Sequence, residues 1–120
     1  MNLNSILIGS EEPQRLVDYY IRLFGEPGWN EGGYVGWQIG SGGLTVGPHT
    51  EVKGKNAQPG RIIFNIETPD VKQEFDRLVA AGATVVREPY NPAEGAELEM
   101  SICTFADPDD NYFQLMSPMD

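Results

Sequence analysis

The sequence predicts an α+β fold made of two tandem βαβββ modules. Three observations predict it. Strand-like alternation and helix-like stripes occur in the same order twice, with a period of about 55 residues. Each helical stripe carries apolar residues at i, i+4, i+7 and i+8, which is one buried face. Each half closes on two alternating runs joined by turn-forming residues.

Residues 2–9 read as a strand, with Ile6 and Ile8 on one face and Ser5, Leu7 and Gly9 on the other. Ser10 is an expected N-cap, and Pro13 falls in the first helical turn, where a missing N–H costs nothing. The helix runs to Phe24 on a stripe of Leu16, Tyr20, Leu23 and Phe24, and Gly25 and Pro27 stop it. Residues 27–30 form a short strand. Residues 34–39 and 44–47 form a hairpin around Gly40, Ser41, Gly42 and Gly43. A regular hairpin sets Ile39 opposite Leu44, Gln38 opposite Thr45 and Trp37 opposite Val46. Val35, Trp37, Ile39, Leu44 and Val46 then share the core face, while Tyr34, Gln38, Thr45 and His49 take the other.

Residues 48–60 are poor in apolar side chains and read as a loop between halves. The expected organisation is one domain, with module one at 1–50, a linker at 51–59 and module two at 60–120. Residues 61–67 form a strand with Ile62, Phe64 and Ile66 on one face and Arg61, Ile63 and Asn65 on the other. Thr68 is the expected N-cap, with Pro69 in the first helical position. Val71, Phe75, Leu78 and Val79 form the buried stripe, and Gly82 suits the left-handed position after the helix. Residues 83–88 form a strand and 90–97 a loop. Residues 99–105 and 112–116 form the last hairpin, around Asp107, Pro108, Asp109, Asp110 and Asn111.

A chain of 120 residues supports one modest core. No apolar run approaches the roughly 20 residues that span a bilayer. The first residues lack a basic stretch and a long apolar run, so no signal peptide is expected. The single cysteine, Cys103, rules out an internal disulfide and a cysteine zinc cluster, and a cytoplasmic location is expected. A net charge of −10 argues against nucleic acid and anionic membrane as partners and eases the approach of a cation.

The faces turned away from the helices carry Ser5, Leu7, Tyr34, Gln38, Thr45, Arg61, Ile63, Asn65, Gln114 and Met116. That set is too mixed for a core and too apolar for plain surface, and it suits a ligand site. Tyr34, Trp29 and Tyr90 are placed to stack on a planar ligand or to form its rim. Arg61 either meets an oxygen-rich ligand group or pairs with a carboxylate. His49, the one histidine, reads as an exposed loop residue or a titratable site group. Cys103 reads as a buried, inert thiol. Trp37 reads as core. Glu94, Glu97 and Glu99 make an acidic loop, either solvated or attractive to a basic ligand. No nucleophile triad and no phosphate loop is present.

The two modules, the segments 12–20 and 70–83 and the run ADPDDNYFQL at 106–115 resemble the vicinal oxygen chelate superfamily, the glyoxalase/bleomycin-resistance/dioxygenase fold. The resemblance implies a curled mixed sheet around a cleft. It also implies glycine where Asp110 stands, and aspartate is among the better substitutes at positive φ. Metal-dependent members carry ligands on the first and last strands of each module, which here are Ser5, Thr45, Arg61 and Gln114. Only Gln114 is a plausible ligand, so neither metal nor other cofactor is expected. The resemblance points to the bleomycin-resistance branch: a homodimeric protein that sequesters a small organic ligand, planar or aromatic. The competing expectation is a lyase, isomerase or dioxygenase of the same superfamily. The expected ligand contacts are Ser5, Leu7, Tyr34, Gln38, Thr45, His49, Arg61, Ile63, Asn65, Tyr90, Gln114 and Met116, with no catalytic residue assigned.

Overall fold

The computed structural model describes residues 1–93 and 99–119. The chain forms two compact units, Met1–Lys55 and Asn56–Asp120. Each unit is a four-stranded mixed sheet with one α-helix, so the α+β class and the repeated module both hold. Of the acidic loop, Glu94 and Glu97 lie outside the described residues.

The first unit runs β1 (Ser5–Ser10), α1 (Pro13–Phe24), β2 (Trp29–Glu31), β3 (Tyr34–Ile39) and β4 (Gly42–Pro48). The sheet order is β1-β4-β3-β2, with β1 parallel to β4. Leu16, Tyr20 and Leu23 of α1 are buried with Ile8, Val35, Trp37, Leu44 and Val46. Phe24 stacks on Tyr20, ring centroids 5.6 Å apart, and Tyr20 meets Trp37 at 6.0 Å. The Trp37 indole N–H donates to the Gly25 carbonyl at 2.9 Å, which ties the end of α1 to the sheet.

The second unit begins with a 3₁₀ turn, Pro59–Arg61. It continues with β5 (Ile63–Glu67), α2 (Val71–Ala80), β6 (Thr84–Tyr90), β7 (Ile102–Ala106) and β8 (Tyr112–Met116). The order is β5-β8-β7-β6, with β5 parallel to β8. The core is a run of stacked rings. Phe75 of α2 meets Phe105 at 5.6 Å, Phe105 meets Phe113 at 5.3 Å, and Phe113 meets Phe64 at 5.4 Å. Gly82 has φ +103, and the N–H groups of Gly82 and Ala83 donate to Val79 and Leu78 as a Schellman cap requires.

The turn between β7 and β8 is organised by Asp107, which is buried. Its Oδ1 accepts from the backbone N–H groups of Asp109 at 2.8 Å and Asn111 at 3.0 Å. Asn56 donates its backbone N–H to the Asp109 carbonyl at 2.8 Å, which fastens the start of this unit to the turn. Asp110 has φ +63, the left-handed backbone that the departure from glycine implied.

Several local expectations are corrected. The β3–β4 hairpin is two residues tighter than expected, because Gly42 and Gly43 join β4 rather than the turn. Ile39 therefore pairs with Gly42, Gln38 with Gly43, Trp37 with Leu44 and Val35 with Val46. A two-residue slip keeps every side chain on its face, so the core assignment survives. Glu12, not Ser10, holds the N-cap of α1, and the Ser10 hydroxyl accepts from the Glu12 N–H at 3.0 Å. Asp70, not Thr68, caps α2, accepting from the Gln73 N–H at 3.1 Å. Val79 is 42% exposed. At about 100° per residue it sits some 80° round the helix from Val71, at the margin of the buried stripe. Arg61 belongs to the 3₁₀ turn rather than to β5, and Ile62 is 74% exposed rather than core. Tyr90 ends β6 instead of opening a loop.

Candidate functional site

Each helix covers one face of its sheet, and the chemistry collects on the other. Paired residues on neighbouring strands share a face, so pairing defines rows across each sheet. In the first unit one row reads Trp29, Gly36, Thr45 and Leu7. The adjacent row reads Gln38, Gly43 and Ser5. Glycine is required where aromatic rings lie on the strands. A Cβ on Gly36 would stand 1.9 Å from Trp29 Cε2, and one on Gly47 would stand 2.1 Å from Tyr34 Cδ1. Both rings rest on bare backbone, and each residue is 39% exposed. The Tyr34 hydroxyl donates to the Pro48 carbonyl at 3.2 Å, which fixes that ring at its polar end.

His49 and Tyr34 line a common hollow of about 510 Å³ with Ser10, Glu11, Val52 and Lys53. His49 is exposed, and its Nδ1 accepts from the Glu51 backbone N–H at 3.2 Å. A Cβ on Gly9 would meet His49 Cβ at 2.8 Å, so the loop after β4 also crosses the sheet over a glycine.

In the second unit the central row reads Asn65, Gln114, Thr104 and Arg87. The Gln114 side-chain amide donates to Thr104 Oγ1 at 3.1 Å. On one side lies the row Glu67, Met116, Ile102 and Tyr90; on the other lie Ile63, Tyr112, Ala106 and Thr84. Two irregularities in β6, between Val85 and Arg87 and between Arg87 and Tyr90, produce this arrangement. Each inserts one residue and reverses the alternation that follows. Arg87 thus leaves the face of Val85, and its guanidinium lies 3.4 Å from the centre of the Tyr90 ring.

The expected site residues divide accordingly. Ser5, Leu7, Tyr34, Gln38 and Thr45 share the far face of the first sheet, with His49 at its border. Ile63, Asn65, Gln114, Met116 and Tyr90 share the far face of the second. Arg61 is not in register with Gln114, whose partner on β5 is Asn65. Its guanidinium donates twice to Gln58 Oε1, the Nε contact at 2.9 Å, within its own exposed loop. Arg87 and Thr104 are the residues that sequence reasoning missed. Thr104 was reachable by alternation from its buried neighbours, but a bulge leaves no mark in a strand pattern.

Cys103 is fully buried on the helix side of β7. Burial pushes its thiol pKa up, partly offset by a backbone hydrogen bond from Leu115, which keeps it protonated and unreactive.

Residues 5–116 match the family described as glyoxalase-like domain. The chain belongs to that family, within the vicinal oxygen chelate superfamily. Solved structures agree over nearly the whole glyoxalase-like chain. A protein described as a conserved domain protein is 27% identical, with a TM-score of 0.74, covering 99% of this chain and 100% of that one. TioX from Micromonospora sp. ML1 is 17% identical at a TM-score of 0.75, again covering 99% and 100%. A glyoxalase/bleomycin resistance protein/dioxygenase family enzyme from Burkholderia phytofirmans PsJN is 17% identical at 0.73, with the same coverage. No curated protein matches the chain.

The metal implied by part of this superfamily does not fit the donors present. In the first unit the candidate positions hold the alcohols Ser5 and Thr45 beside Leu7. In the second they hold the amides Asn65 and Gln114. Neutral alcohols and amides are weak ligands for first-row metals, which favour imidazole, thiolate and carboxylate. Among the described residues no three of His, Cys, Asp and Glu converge on one point. No helix among the described residues is long and apolar enough to cross a membrane.

Proposed function

We propose that this glyoxalase-like domain is a metal-independent binding protein for small planar organic molecules, of the kind that protects by sequestering a drug. The reading is carried by the two rings laid on glycine. Trp29 and Tyr34 each expose a broad face and have no space to collapse into the sheet. Such preordering lowers the entropic cost of stacking on a ligand. Leu7, Thr45, Gln38 and Ser5 surround the rings with one apolar and several hydrogen-bonding groups, the mixture a small-molecule site requires. The donor chemistry supports a role without metal, and relatives named for bleomycin resistance share the fold. A homodimer is part of the proposal, since each sheet ends on edge strands that a second copy can extend.

Calorimetric titration with naphthamide, a neutral planar probe, in the presence of EDTA tests this. Binding survives chelation, and Trp29→Ala weakens it roughly three- to tenfold, as loss of one aromatic contact worth about 0.5–1.5 kcal/mol implies. Absence of binding, or a turnover that needs an equivalent of metal per chain and is lost on chelation, overturns the proposal.

A further inference from the structure

We infer that the far face of the second sheet is by itself a binding surface for a small planar carboxylate, and that Arg87 is the residue that selects the anionic group. The inference concerns the second sheet alone and goes beyond the binding reading above, which rests on the rings of the first. Four polar side chains form one row across all four strands: Asn65, Gln114, Thr104 and Arg87. Rows containing Met116, Ile102 and Tyr90 on one side and Ile63, Tyr112 and Ala106 on the other flank it. Glu67 and Thr84 close those rows at their ends. A hydrogen-bonding line between apolar borders fits a flat molecule that carries one polar substituent.

The row is rich in donors. The Gln114 amide already gives one N–H to Thr104 and has another to give. Asn65 brings a second amide on an exposed stretch of β5. Arg87 brings a guanidinium whose fork matches two carboxylate oxygens. Among the described residues no carboxylate forms an ion pair with Arg87, and its guanidinium lies against the Tyr90 ring. By contrast, Lys53, Lys72 and Arg77 each have a carboxylate partner. In a chain of net charge −10, a cation placed by a bulge on a polar row is where an anion gains most.

The test compares naphthoate with naphthamide, two probes of the same shape that differ in charge. Titration of the full chain is followed by NMR on the side-chain amide signals of Gln114 and Asn65. Naphthoate binds about tenfold more tightly than naphthamide, the difference between a charged and a neutral hydrogen-bonded group. Arg87→Gln abolishes that preference, so that naphthoate and naphthamide bind it within about twofold of one another; Arg87→Lys restores part of the preference, because charge returns without the fork. Arg87 is exposed, so its replacement leaves the fold intact, which the melting temperature verifies. Equal affinities in the parent protein, or a preference that persists in Arg87→Gln, overturn the inference while a Trp29-dependent naphthamide complex leaves the binding reading standing. Failure of both probes to bind overturns both.

Discussion

The two units share a topology and differ in almost everything their far faces carry. In the first, glycines clear the backbone and two aromatic rings lie down on it. In the second, a row of Asn65, Gln114, Thr104 and Arg87 crosses the sheet. The helix sides diverge much less: Tyr20 packs on Trp37 in one and Phe75 on Phe105 in the other. The repeat therefore specifies a scaffold, and the function lies in the side chains that scaffold does not need. The far face of the first unit is dominated by aromatic surface and that of the second by a polar row.

The contrast between faces is sharpest on a single strand. Phe113 and Gln114 are adjacent on β8 and point to opposite sides. Phe113→Ala removes the centre of the ring stack and should cost about 3–5 kcal/mol. Gln114→Ala loses one half-buried hydrogen bond to Thr104 and should cost about 0.5–1.5 kcal/mol, while weakening naphthoate binding at the second sheet roughly three- to tenfold. Chemical denaturation of both variants checks the split. Equal stability losses would mean that the faces were misassigned.

The second unit also depends on a turn that the first lacks. Asp107→Ala strands the N–H groups of Asp109 and Asn111 and should destabilise by about 1–3 kcal/mol, with a lower melting temperature and little change in the circular dichroism of the folded state. A neutral result would show that the turn is held by Asn56 and its chain neighbours alone.

A smaller effect on stability accompanies a specific effect on binding at Gly36. Gly36→Ala puts a methyl where the Trp29 ring lies, and the ring must swing away from the sheet. Naphthamide affinity should fall by as much as in Trp29→Ala, roughly three- to tenfold, although no ligand-facing atom has been deleted. An unchanged affinity would show that the ring position is immaterial.

Much of this was legible in the amino-acid order. Both helices, the assignment of Trp37 to the core and the faces of β1, β3 and β8 follow from spacing alone, because burial on one side of an element imposes a period. The left-handed Asp110 was legible from the turn motif. What escaped has physical causes. The first bulge of β6 silently transfers Arg87 to the far face, and the second brings Tyr90 to it. Arg61 and Ile62 continue the alternation of β5 in sequence but precede the strand, because Pro59 starts a 3₁₀ turn there. Gly43 reads from sequence as a turn former and Gly36 carries no signal there, whereas a Cβ on Gly43 would stand 3.2 Å from Ser5 Cβ and one on Gly36 1.9 Å from the Trp29 ring, close approaches that a strand pattern does not mark.

The most direct measurement uses the two tryptophans as opposed reporters. Trp29 lies on the far face of the first sheet, while Trp37 is buried and bonded to Gly25 on the helix side. The indole N–H signals of both are followed in a single NMR titration with naphthamide under EDTA. The binding account predicts a saturating shift of the Trp29 signal, with the Trp37 signal stationary. A shift confined to Trp37, or none in either signal at saturating probe, contradicts it.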